Sequence, residues 1–210
     1  MTEWTREATK LPRARLIGAV YLAYFLTAIL AEVLAGRGLA AWGTAVNLIA
    51  TALYLALTLL FYVLFRPVSR GLSLIAALFS VAGCVVTAMG IFNINDAWLS
   101  PLLFFGPYCL LLGYLIFRSR FLPHALGVIL AVAGVGWLAF LIPTLPHFLS
   151  LAIEGLGVFA EASLMLWLIV RGVNVERWKL QADAASQRFI APHVSRNAGS
   201  STAPDQGGRG

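Results

Sequence analysis

Charge is scarce in this chain: Asp, Glu, Lys and Arg make up 11% of its 210 residues, against ~25% in an ordinary soluble domain. With 60% of the residues hydrophobic and a mean hydropathy of +0.85, too few polar groups remain to cover a water-facing surface, which excludes a soluble fold. Cysteine is scarce as well. The two present, Cys84 and Cys109, both fall inside apolar runs, so they provide no disulfide framework and say nothing of an oxidising compartment; they read as small packing residues. Neither a short metal-ligand motif, a Ser-His-Asp set nor a Gly-rich phosphate loop is present, so no cofactor is expected and no catalytic residue can be named. The net charge of +6 does not point to nucleic acid, because the basic residues sit at alternate ends of the apolar runs instead of along one patch.

What the chain has in abundance is apolar length. Six runs stand out: Leu16 to Leu34, Ala41 to Phe65, Gly71 to Phe92, Trp98 to Phe117, Ala125 to Ile142 and Phe148 to Val170. Each approaches the ~20 residues a helix needs to cross a bilayer. They predict an all-α integral membrane bundle of six transmembrane helices over residues 16–174, between a basic N-terminus (1–15) and a tail (175–210). The first run follows Arg6, Lys10, Arg13 and Arg15 in the manner of a secretory signal. It is too long for a signal core and no A-x-A site follows it, so an uncleaved first helix is expected.

The connections are short and carry the orientation. Threading the runs alternately places all but Arg37 of the 15 Lys and Arg residues on the side of the N-terminus. By the positive-inside bias both termini are cytoplasmic, in a multi-pass protein of the cell inner (plasma) membrane whose first partner is the lipid bilayer. The tail mixes Glu176, Trp178, Lys179 and Phe189 before a Ser, Gly and Pro rich end. A short helix on the inner membrane surface is one reading, but its periodicity is weak, so a plain solvated tail with a disordered end is expected.

Four stretches carry a family resemblance: Ala14 to Leu22, Phe65-Arg66-Pro67-Val68-Ser69-Arg70, Leu110 through Arg118-Ser119-Arg120-Phe121-Leu122-Pro123 to Leu130, and Glu154 through Arg171-Gly172-Val173-Asn174. With them the chain resembles the bacterial membrane proteins grouped as domain of unknown function 4386. The resemblance implies a polytopic helical membrane protein and carries no activity, cofactor or catalytic residue. The connection Ala35 to Ala40 is shorter than in many members.

The polar residues inside the runs are the functional candidates. The last run holds two acids, Glu154 and Glu161, seven residues and ~10 Å apart on nearly one helix face. Acids in hydrocarbon are costly enough to be read as functional. His147, Ser150, Glu154, Gly157 and Glu161 follow a 3,4,3,4 spacing, as do Thr44, Asn47, Thr51, Tyr54 and Thr58 in the second run. Both seams are expected to turn from lipid towards neighbouring helices. The third run adds a row of small residues from Ser73 to Gly90 suited to close approach.

Counting the rise per residue puts Glu154 and Asn47 ~9 Å from the outer ends of their runs and Glu161 ~20 Å deep. Glu32 lies at the outer end of the first run, and Asp96 caps the same side. No Lys, Arg or His stands at the level of Glu161, so desolvation is expected to hold that acid largely neutral.

Three functions compete. In a small transporter or ligand-binding bundle, Glu161 exchanges a proton, Glu154 and Glu32 line an outward cavity, and Asn47 and Tyr54 shape a substrate site, with Pro107 as a possible kink in the fourth helix. A non-catalytic protein would assemble with itself or a membrane partner through the Gly127, Gly134 and Gly136 face of the fifth helix. An intramembrane metal site or enzyme would draw on His147, Glu154, Glu32 and Asp96, without a recognisable motif.

Overall fold

Away from water, a run of Leu, Ala, Val and Phe can satisfy its own backbone only as a helix. The structure, a computed structural model, describes residues 14–91, 100–142 and 147–198, with side chains up to residue 187. Among these residues there are seven helices and no strand: α1 (Ala14–Gly36), α2 (Ala40–Phe65), α3 (Arg70–Ile91), α4 (Leu102–Arg118), α5 (His124–Ala139), α6 (His147–Val170) and α7 (Val175–Ala198). Helices α1, α2, α3 and α6 are long and apolar enough to cross a membrane. Helices α4 and α5 are apolar but shorter, at 17 and 16 residues. The start expected at Trp98, the Asp96 cap, the N-terminal residues before Ala14 and the end of the tail after Ala198 lie outside the described residues.

Each of the first six helices packs against its chain neighbours, and α6 closes back on α1. The result is a ring in chain order, with neighbours antiparallel because the links are short. The link from α1 to α2 shows how short. Gly38 takes φ +78° while Leu39 N–H reaches Leu34 O and Gly38 N–H reaches Ala35 O, both at 3.0 Å. That pair of bonds is the Schellman closure of a helix, and a positive φ favours glycine there. One end of the ring therefore gathers the starts of α1, α3 and α5, the ends of α2, α4 and α6, and α7; it is called the tail end below, and the opposite one the far end.

The ring's outer surface is apolar on all six helices. Leu26, Leu59, Leu78, Phe117, Val135 and Phe159 are all exposed, as side chains facing lipid would be. Inside, the closest backbone approach joins α4 to α5. A Cβ on Gly113 would stand 2.7 Å from Gly127 O, and one on Gly127 would stand 2.6 Å from Gly113 O. A Cβ on Gly134 would stand 2.8 Å from Leu110 N of α4, and one on Gly136 would stand 3.0 Å from the Ile153 side chain of α6. The glycine face considered above for a second copy or partner is thus occupied by helices of the same chain.

Packing is one-ended. The most completely buried large side chains, among them Leu57, Leu64, Phe65, Ile116, Leu164 and Leu168, all belong to the tail half of the ring. Helix α7 adds to this seal, in contrast to the plain solvated tail expected from its weak periodicity. Trp178 is 1% exposed, and its indole N–H donates to Leu64 O at 2.9 Å. Leu64 O belongs to the last turn of α2, where carbonyls lack helical partners, so the indole caps an otherwise orphaned acceptor. Asn174 N–H to Phe121 O and Arg120 N–H to Gln181 Oε1, both 3.2 Å, complete the attachment. One anchoring aromatic sets this helix in place, and a periodicity test is insensitive to a single residue.

Candidate functional site

The two acids of α6 separate in the folded chain. Glu161 is 7% exposed and accepts a 3.0 Å hydrogen bond at Oε2 from the Tyr21 hydroxyl of α1. Glu154, on nearly the same helix face, is exposed, as are Glu32 and His147. The reason lies in the neighbours. Helix α5 packs its Gly136 against Ile153, one position from Glu154, so α5 takes up the neighbouring position of α6, whereas Glu161 meets Tyr21 of α1. The seam predicted along α6 is buried from Gly157 inward, and the seam along α2 deepens likewise, from exposed Thr44 through half-buried Asn47 and Thr51 to buried Tyr54 and Thr58.

Tyr21 belongs to a cluster of rings at the middle of the ring. It packs edge-on against Phe61 at 5.8 Å and tilted against Phe25 at 5.4 Å. Tyr24 lies tilted against Tyr54 at 4.8 Å, and Tyr54 meets Tyr108 at 6.1 Å and Phe105 at 6.3 Å. Trp137 of α5 packs on Phe105 at 5.4 Å, close over Gly157, where a Cβ would collide with its indole. Its N–H is buried without an acceptor among the described residues, beside Gly157, which lies one turn of α6 before Glu161.

Above this layer, in the far half, α1 to α4 enclose a cavity of about 220 Å³. Asn47, Thr51 and Tyr54 of α2 face Ser80, Cys84 and Thr87 of α3 across it, with Tyr24 and Phe105 closing the sides. Tyr54 and Ser80 lie near its inner end. There Thr58 donates to Tyr54 O at 2.9 Å and meets Ser80 at 2.5 Å. Because the Thr58 proton is engaged with the carbonyl, Ser80 is the donor of that second bond.

Of the five site residues expected from the sequence, Asn47 and Tyr54 line the cavity, Glu161 lies under its tyrosine floor, and Glu154 and Glu32 are exposed outside the lining. Sequence reasoning passed over Tyr21, Tyr24 and Phe105 as site residues, and read Ser80 only as part of the small-residue row of the third run, whereas it lines the cavity. A polar ring at helical spacing looks like any aromatic packing residue until its partner is known. The described residues hold no group of three His, Cys, Asp or Glu side chains that could bind a metal, and Asp96 lies outside them.

Among curated proteins the chain matches an uncharacterized protein of Archaeoglobus fulgidus, 32% identical over 120 residues, which is 53% of this chain and 72% of the relative. Residues 93–172 match the family model described as "Domain of unknown function (DUF4386)". The chain belongs to the DUF4386 family. Nothing in these matches restricts the family to bacteria. No solved structure matches the chain. The stretch matched to DUF4386 carries α4, α5 and α6 and hence Tyr108, Trp137 and Glu161, whereas Tyr21, Asn47, Tyr54 and Ser80 come from helices before it.

Proposed function

We propose that this DUF4386 protein is a small transporter: a six-span bundle, both termini cytoplasmic in the cell membrane, that binds a small molecule in the far-half cavity and carries a proton on Glu161. The observation that carries the reading is the stacking of three layers along the ring. A polar cavity lies over a floor of tyrosines, the Glu161 carboxyl lies beneath that floor, and a tightly filled apolar seal with Trp178 occupies the tail end. A site sealed on one side is what alternating access requires, and a buried acid beside it suits proton coupling. A bundle needing only helix-to-helix adhesion has no use for a buried carboxyl in place of Ser or Gln.

Six spans are supported by the position of α4 and α5 within the same ring as the four longer helices, and by exposed apolar faces on both. The assembly reading loses its named surface, since the α5 glycines are taken up by α4 and α6.

Glu161→Gln in dye-loaded proteoliposomes tests the proton role. Ligand-driven proton movement is expected in the parent protein, with a panel of small molecules as probes, and its loss in the variant. Undiminished movement in the Gln variant removes Glu161 from the mechanism. Threading is checked by a reporter fused after Val175 or inserted in Gly36 to Gly38, where an external C-terminus would overturn it.

A further inference from the structure

The cavity wall is neutral, with the Asn47 amide and the Tyr24 and Tyr54 hydroxyls able to donate or accept, and its aliphatic hydroxyls are turned to accepting. Lining Thr51 and Thr87 spend their hydroxyl protons on Asn47 O at 2.9 Å and Gly83 O at 3.0 Å, and Ser80 spends its own on Thr58. Three hydroxyl oxygens are therefore left with lone pairs only. Four aromatic rings, Tyr24, Tyr54, Phe79 and Phe105, share the lining. The described lining contains no Lys, Arg or His.

The start of α4 at Pro101 and Leu102 also reaches the cavity, and a helix start would ordinarily attract an anion. Here its amides are engaged, Leu102 N–H by Ser100 Oγ at 3.3 Å and Leu103 N–H by Ser100 O at 3.2 Å. Beyond the cavity, Arg37 is the single Lys or Arg at the far end among the described residues, with His147 at the start of α6, against the exposed acids Glu32 and Glu154. Lone pairs, ring faces and acids all favour positive charge.

We propose that the cavity takes a small organic cation, an amine or quaternary ammonium compound, held against the aromatic rings and the hydroxyl lone pairs of the wall. This rests on reading the cavity as the ligand site. An inorganic ion is disfavoured, because ring faces and a few hydroxyls are a poor substitute for its hydration shell, and no carboxylate lines the described wall. The volume of 220 Å³ equals that of about seven waters at ~30 Å³ each. That admits a ligand on the order of ten non-hydrogen atoms, smaller than a drug-sized molecule.

Cys84 lines the cavity and makes a built-in probe. The native chain in mild detergent is treated with methanethiosulfonates bearing a trimethylammonium-ethyl, a sulfonato-ethyl or a methyl group. Mass spectrometry of the Cys84 peptide gives each rate, which is divided by that reagent's rate on free mercaptoethanol. The cationic reagent is expected to outpace the anionic one by about tenfold or more, and tetramethylammonium chloride is expected to slow it where sodium chloride does not. Tyr54→Leu and, as a gentler change at a half-buried position, Tyr24→Leu should bring the ratio towards one. An anionic reagent as fast as the cation overturns the cation assignment while leaving the cavity reading intact. So does a neutral reagent that outruns the cation with no protection by tetramethylammonium. If no reagent modifies Cys84 in the folded protein although all do so after unfolding in dodecyl sulfate, the cavity is closed and both proposals fall.

Discussion

The contact between Tyr21 and Glu161 can be weighed by a double-mutant cycle. Both side chains are buried, at 3% and 7% exposure, and their 3.0 Å bond joins α1 to α6 where the ring closes. Tyr21→Phe keeps the ring against Phe61 and Phe25 and removes only the hydroxyl. The carboxyl oxygen then loses its donor, at a cost of ~1–3 kcal/mol for a buried unsatisfied group. Interhelical bonds in membrane proteins average nearer ~0.6 and reach ~1.7 kcal/mol, so a loss of ~1–2 kcal/mol is expected. Glu161→Gln retains an acceptor oxygen for Tyr21 and should cost less than ~1 kcal/mol. Glu161→Met removes the acceptor and keeps the volume. Combined with Tyr21→Phe it should be less harmful than the sum of the two, with a coupling of ~0.6–1.7 kcal/mol. Unfolding by dodecyl sulfate in mixed micelles, followed by tryptophan fluorescence, measures all four corners. A coupling within ~0.3 kcal/mol of zero would refute the claim that this bond helps to close the ring and orient the acid.

The remaining predictions concern packing and reactivity. Gly127→Ala places a methyl 2.6 Å from Gly113 O, a backbone atom that cannot rotate away, and should destabilise by ~1–3 kcal/mol. Gly155→Ala meets nothing within 4 Å and should be neutral or stabilising by up to ~1 kcal/mol through helix propensity; equal effects in an unfolding titration would contradict the close α4 to α5 approach. Trp178→Phe leaves Leu64 O without its indole donor and should cost ~1 kcal/mol, while Trp178→Ala should cost ~3–5 kcal/mol and expose α7 to protease. Unchanged proteolysis of both variants would show that α7 is held by something else. In the folded chain Cys84 should react with small neutral thiol reagents well before Cys109, which is 1% exposed; the reverse order would misplace the cavity.

Much of the architecture is legible along the chain because it is fixed by per-segment transfer energies. A helix in hydrocarbon needs a certain apolar length, so the six runs coincide with α1 to α6 to within a few residues at every described end. Asn47 and Tyr54 were legible as an inward seam for the same reason, since helical spacing alone keeps them on one face. The tail helix was not, because its placement depends on Trp178 finding Leu64 O, a partner 114 positions away.

The sequence by itself determined a helical membrane protein, the order and limits of its apolar helices and the presence of two acids in the last. The tertiary structure alone decided which acid is buried, what it touches and where the cavity lies. Spacing on α6 cannot distinguish Glu154 from Glu161, since seven residues return nearly the same face. What separates them is which neighbouring side chains meet α6 at each level, above all Tyr21 of α1, 140 positions away, against Glu161. Apolar length and charge balance are summed segment by segment, whereas a partner is chosen only when the ring closes.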